Sequence, residues 1–198
     1  MLPALAGSLP CFSLAFTLSK VWCDPNSAEE GRWVKFGVGI LLMEFLIIHS
    51  GGALAGIGQS RGWKDGLALV FYIPIAILMA WMIAYSMKSK SLFWSFMFIF
   101  AGRVSVLFLD QSGEALAFII ERTRVSALIY MPLVFLTITT LIPKWGMTDP
   151  KYAEMMQSNG SSGVWVEYPH RAIGAATIYF FLLGIAEIGY LSWVSLGA

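Results

Sequence analysis

Charge is scarce in this chain. Asp, Glu, Lys and Arg make up 13% of its 198 residues, and 13 basic side chains nearly cancel 12 acidic ones. A soluble domain carries ~25% charged residues, and a nucleic-acid partner calls for a basic excess that is missing here. Cysteine is scarce too. Cys11 and Cys23 have neither a metal nor a thioredoxin spacing, which leaves two inert thiols or one disulfide as the readings. Two histidines, His49 and His170, are too few for an all-His metal site. A Gly-rich phosphate loop, a nucleophile elbow, an HExxH pair and a CxxCH haem attachment site are all absent. That points away from an enzyme and leaves any metal or cofactor unspecified. No matched pair of Gly/Pro-broken spans suggests an inverted-repeat transporter.

Apolar surface is abundant. The hydrophobic set is 58% of the chain. Counting Gly in place of Tyr gives about 64%, against the ~45–50% of soluble domains. A chain of this size cannot hide that excess in one core. The composition therefore predicts an all-α polytopic membrane helix bundle with membrane lipid around it, organised as one integral domain over 1–198.

A membrane helix needs ~20 mostly apolar residues, each adding ~1.5 Å toward a ~30 Å core. Gly66–Met87 holds 22 residues without a charge, and Val125–Pro143 holds 19. Trp33–Ile57 carries Glu44 and His49, Ser91–Leu109 carries Arg103, and Ala172–Leu196 carries Glu187. This makes five spans, near 33–57, 66–87, 91–109, 125–143 and 170–196. The stretch Met1–Ser19 is apolar and charge-free but has no basic leader region. Pro3 and Pro10 interrupt it, so a re-entrant or interfacial piece is expected there in preference to a sixth span.

Loop charge sets the orientation. One side collects Lys20, Arg32, Lys35, Lys88, Lys90, Lys144, Lys151 and Arg171; the other collects Arg61, Lys64, Arg122 and Arg124. The richer side, the N-terminal side, is expected to face the cytoplasm. Trp22, Trp33, Trp63, Trp145, Trp165 and Trp193 fall near span ends, as headgroup-level rings would. The 145–169 loop, on the cytoplasmic side, is long enough to build something. Asp149-Pro150 reads as an N-cap followed by a first-turn proline, opening a short interfacial helix with Tyr152, Met155 and Met156 on one face. Ser112-Gly113 reads as a break before a helical Glu114–Arg122, either a separate piece or an outward extension of the Val125 span.

Ionisable residues inside hydrocarbon cost ~2.5–3.5 kcal/mol each on insertion scales and persist when they find partners. Glu44, His49, Arg103 and Glu187 are the four. Counted along their spans, His49 is the seventeenth residue, Arg103 the thirteenth and Glu187 the sixteenth, all somewhat outside the midplane. Glu44 lies about 7.5 Å deeper than His49 and about 140° round the helix. A buried polar cluster is expected, with Arg103 neutralising a carboxylate. Asp110, seven residues after Arg103, offers a second partner at the outer rim. Gly52 and Gly56 share the His49 face as a GxxxG pair, which invites helix packing. Glu167, His170 and Arg171 form a cytoplasmic rim, with His170 in the opposite leaflet from His49. Three readings of the cluster stay open: register-fixing pairs, a proton or ion pathway, and a metal, quinone or pigment contact.

The strings Glu44-Phe-Leu-Ile-Ile-His-Ser-Gly51 and Trp165-Val-Glu-Tyr-Pro-His-Arg171 resemble segments of uncharacterised bacterial multispanning proteins. The resemblance covers two short patches and implies no activity; a bacterial inner membrane is the expected compartment. The function expected is that of an accessory or structural subunit, partnered by other transmembrane chains or by copies of itself. The alternatives are an autonomous proton- or ion-coupled carrier working through the buried cluster, or a membrane redox or cofactor-site protein.

Overall fold

The computed structural model describes residues 2–26, 32–60, 63–109, 113–157 and 162–194, with side chains placed at 8–26, 32–57, 67–106, 113–157 and 162–189. Among the described residues there are eight helices and no strand. They are α1 (Leu2–Cys23), α2 (Arg32–Ser60), α3 (Trp63–Ser86), α4 (Lys90–Leu109), α5 (Glu114–Ile138), α6 (Lys151–Gln157), α7 (Val164–Glu167) and α8 (Pro169–Val194). Arg32–Ile57, Leu67–Ser86 and Pro169–Gly189 are long and apolar enough to cross a bilayer. The chain is a helical membrane-protein bundle.

Pro10 does not interrupt the N-terminal stretch. Residues 2–23 are one continuous helix with Pro10 inside it. Proline removes one backbone hydrogen bond, and tertiary packing compensates: α1 and α8 form the most extensive helix pair of the bundle. Two glycines of α8 set their antiparallel register. A Cβ on Gly184 would lie 2.9 Å from the Phe12 ring, and one on Gly174 would lie 2.8 Å from the Trp22 ring. Ten residues separate each pair, so one face of α1 seats two aromatic rings in two gaps of α8.

The fourth span is also corrected. Helix α5 starts at Glu114 after Gly113, whose φ of 81° favours glycine, and ends at Ile138 instead of running to Pro143. Thr139 is extended, and Arg171 Nη1 sits 3.4 Å from the carbonyls of Thr137 and Ile138. A cation at a helix C-terminus complements its unpaired carbonyls.

Interhelical contacts fix the remaining directions. Tyr130 donates to the Leu41 carbonyl at 2.9 Å, and Thr123 lies against Gly51, so α5 runs antiparallel to α2. Ile173 lies against Gly37 and Tyr179 bonds Glu44, so α8 runs parallel to α2. Leu92 lies against Gly39 and Arg103 bonds Ile47, so α4 does too. Helix α2 therefore touches α3, α4, α5 and α8.

One end of the bundle carries residues 139–157 and 162–168. Asp149 Oδ1 accepts the Lys151 N–H at 2.9 Å and opens α6, as its cap position predicts. Tyr152 and Met156 are buried, and Tyr152 and Lys151 both donate to Asn26 Oδ1, at 2.8 and 2.9 Å. Trp22 departs from its expected headgroup role: it is 4% exposed, stacks on Trp145 at 4.0 Å and donates to the Pro143 carbonyl. Trp165 donates to Thr137. The rings here hold the cap to the bundle. Trp63, Trp193 and the Ser112 break lie outside the residues described in this detail.

Candidate functional site

A cavity of about 210 Å³ lies inside the bundle, walled by α1, α2, α4, α5 and α8. Most of its wall is apolar, including Phe36, Ile40, Leu92 and Phe96. Its polar lining comprises Glu44, Arg103, Arg122, Ser95 and Ser126, with the Cys11 thiol on the α1 wall.

Tyr179 donates to Glu44 Oε2 at 3.0 Å. Its ring packs edge-on to Tyr130 at 5.6 Å. Glu44 is within electrostatic reach of Arg122 and Arg103, but neither makes an ion pair with it among the described residues. Arg103 Nη1 donates to the Ile47 carbonyl at 2.5 Å. It lies across α2 at Gly51, where a Cβ would collide with Nη1 and with Thr123 Oγ1. That hydroxyl is buried without a partner.

Glu187 is matched by a residue the loop count assigned to the surface. Arg122 Nη2 lies 2.8 Å from Glu187 Oε1, with the side chains 37% and 7% exposed. Glu187 Oε1 makes no well-aligned hydrogen bond, so the contact is ionic without ideal geometry.

The expected four-residue cluster thus divides. Glu44 and Arg103 line one cavity, and Glu187 joins it through Arg122. His49 does not. It is exposed, its Nδ1 is 2.8 Å from the Phe45 carbonyl, and its ring lies 3.9 Å from the Phe45 ring. Because a carbonyl only accepts, Nδ1 carries a proton in this contact, and in a neutral ring Nε2 is then the acceptor. Gly52 and Gly56 also face outward, with nothing within 4 Å of a built Cβ. His49 and Gly52 border a shallow groove of about 490 Å³, completed by Ile120, Ala127 and Met131 of α5. The glycines of α2 that neighbours approach closely are Gly37, Gly39 and Gly51, not the GxxxG pair. Asp110, the second expected partner of Arg103, lies outside the described side chains.

The rim residues separate as well. Glu167 is exposed, His170 is 5% exposed, and Arg171 clamps the end of α5 while lying 4.2 Å over the Tyr168 ring. Among the described residues no three His, Cys, Asp or Glu side chains gather to hold a metal. Both cysteines are free, Cys11 buried and Cys23 exposed.

Arg122, Ser126, Tyr130 and Tyr179 were not singled out from the sequence. A signal existed: Arg122, Ser126 and Tyr130 recur every four residues, as do Tyr179, Leu183 and Glu187. Each set lies along one helical face. A scan against protein-family models finds no match, and searches of curated proteins and of solved structures find none either.

Proposed function

We propose that this chain is a subunit of a larger membrane assembly, and that the groove beside His49 receives a membrane helix from another chain or from a second copy. The observation that carries this reading is His49. Its imidazole turns outward eight residues, about 12 Å, inside the end of the Arg32–Ile57 stretch. A polar ring at that depth favours a partner over lipid. Gly52 and Gly56 leave room for a backbone to approach. The acceptor Nε2 selects a partner offering a donor, such as a Ser or Thr hydroxyl or a side-chain amide.

In this reading α2, α3, α4, α5 and α8 are the five spans, and α1 is a sixth, antiparallel to α8. The end that carries α6 faces the cytoplasm, following the excess of Lys and Arg on that side. A bacterial inner membrane is the compartment.

The test is a photo-crosslinking amino acid at Gly52 in native membranes, with Leu78 on the exposed face of α3 as the control. A discrete protein adduct at Gly52 but not at Leu78 supports the proposal. Lipid adducts alone at both positions, together with a single chain by native mass spectrometry, overturn it.

A second reading is a proton- or ion-coupled carrier, favoured by a carboxylate, Glu44, that opens into an internal cavity beside Arg103 and Arg122. Under that reading Glu44→Gln abolishes proton-coupled flux in reconstituted vesicles while the protein stays folded.

A further inference from the structure

The internal cavity supports a conclusion that does not depend on the His49 groove. Helices α2 and α4 run side by side along it. Its wall extends from Phe36 to Ile47 on one and from Leu92 to Arg103 on the other. Eleven residues on each helix make it about 16 Å long. Polarity is unevenly distributed. Arg103 stands at one end, and the wall toward the other is Ile40, Phe36, Phe96 and Leu92, with Ser95 the one polar residue there.

We propose that this cavity binds an amphipathic anion drawn from the bilayer, with its carboxylate or phosphate on Arg103 and its hydrocarbon chain along α2 and α4 toward Phe36 and Leu92. The charge argument is specific to Arg103. Arg122 is matched by Glu187, and Glu44 is engaged by Tyr179. Among the described residues no carboxylate comes within ion-pair distance of Arg103, whose single hydrogen bond is to a backbone carbonyl. A guanidinium in a low-dielectric bundle is stabilised by an anion it can bind through two donors. A hydrophilic anion fits the Arg103 end but leaves the apolar length unfilled. A lipophilic cation fits that length, but at its head it meets the Arg103 guanidinium, while the Glu44 carboxylate is already held by Tyr179.

The route of entry follows from the packing. Helices α1 and α4 both border the cavity, yet they are not among the helix pairs in substantial contact. At the seam between them Pro10, Ser95 and Ile99 are exposed. A ligand therefore enters sideways between the two helices, as a molecule already dissolved in the membrane would.

The shared chemistry, an anionic head on an acyl chain, belongs both to free fatty acids and to anionic phospholipids. The experiment separates them. Full-length protein in phosphatidylcholine nanodiscs is irradiated with a dodecanoate analogue carrying a diazirine on its chain, and the labelled peptides are mapped. The expected result is label on the α2 and α4 cavity wall that unlabelled dodecanoate reduces at least fivefold, above an uncompeted background on the α3 outer face at Leu78 and Met82. Dodecanol and dodecyltrimethylammonium should compete weakly. Arg103→Gln should remove the competed label and Arg103→Lys should retain it. Should Arg103→Gln fail to fold, Ile40→Trp, which fills the apolar arm, should also remove it. Nanodiscs containing phosphatidylglycerol should suppress the label if a phospholipid is the natural occupant and leave it unchanged if a free fatty acid is. Label that is nowhere competed, equal competition by the alcohol or the cation, or competed label that survives both Arg103→Gln and Ile40→Trp overturns the proposal.

Discussion

Arg122 reaches Glu187 across the α5–α8 contact at 2.8 Å, and so takes the partner that depth along the spans assigns to Arg103. Arg103 turns instead to the Ile47 carbonyl of α2. Among the described residues, two cations and two carboxylates thus occupy one region with one ion pair between them, and Arg103 and Glu44 face the same cavity without pairing.

The Arg122–Glu187 contact is testable as a pair. Arg122→Ala leaves a carboxylate that is 7% exposed without its cation. Breaking a truly buried pair costs ~3–5 kcal/mol. Arg122 is 37% exposed, so solvent screening reduces the expected loss to about 1–2 kcal/mol. Thermal unfolding in a nonionic detergent should show that loss. Glu187→Gln combined with Arg122→Ala should destabilise by less than the sum of the two single changes. Strict additivity would mean the two groups are not coupled.

Gly184 of α8 and the outward-facing Gly52 and Gly56 of α2 should respond oppositely to alanine. Gly184→Ala places a methyl against the Phe12 ring, and overpacking of this kind costs about 1–3 kcal/mol. Adding Phe12→Leu should restore part of it. Gly52→Ala and Gly56→Ala meet open space and should leave the isolated chain unchanged or more stable by up to ~1 kcal/mol, from helix propensity. Melting temperatures of the four variants decide the matter.

The α6 cap should weaken in acid. The Lys151 backbone N–H and the Lys151 ammonium hold Asp149 below its ordinary pKa of 3.8. A depressed carboxylate stabilises the fold above its unfolded-state pKa and loses that contribution as pH falls through the folded value. Amide hydrogen exchange over 151–157 should therefore accelerate below about pH 4, after correction for the intrinsic rate. Asp149→Ala should show the fast behaviour at every pH, and Asp149→Asn, which still caps, should not. An unchanged profile in Asp149→Ala would remove the cap from the account.

Orientation can be read from a native residue. Cys23 is exposed at the end that carries α6. In intact cells a membrane-impermeant maleimide should leave it unmodified and should label it after permeabilisation. The same pattern is expected for Ser161→Cys. Efficient labelling from outside would invert the proposed topology.

Helix positions were legible because hydropathy and length are local properties. The stretches near 33–57, 66–87 and 91–109 correspond closely to α2, α3 and α4, and Asp149 announces α6. The misreadings share one cause. Pro10 is a breaker by propensity, but the packing of α1 along α8 outweighs one lost hydrogen bond. At the end of α5 the Ile138 carbonyl meets Arg171, thirty-three residues further along the chain. Arg122 looked like a loop charge because α5 begins well before its uncharged stretch.

By itself the sequence determined that this chain is helical, apolar enough for a membrane, and furnished with a few ionisable residues at membrane depth. Those conclusions need only composition, helical rise and the cost of charge in hydrocarbon. Only the tertiary structure decided which of those residues meet. Depth along a helix says nothing about rotation around it, and a turn of about 100° per residue separates a side chain in the cavity from one facing outward. Glu44 and His49 are five residues apart on α2, yet one opens into the bundle and the other away from it. On the inward side of α2 the missing side chains of Gly37, Gly39 and Gly51 let Ile173, Leu92 and Arg103 come close, and which glycine a neighbour uses is a property of the packed bundle alone.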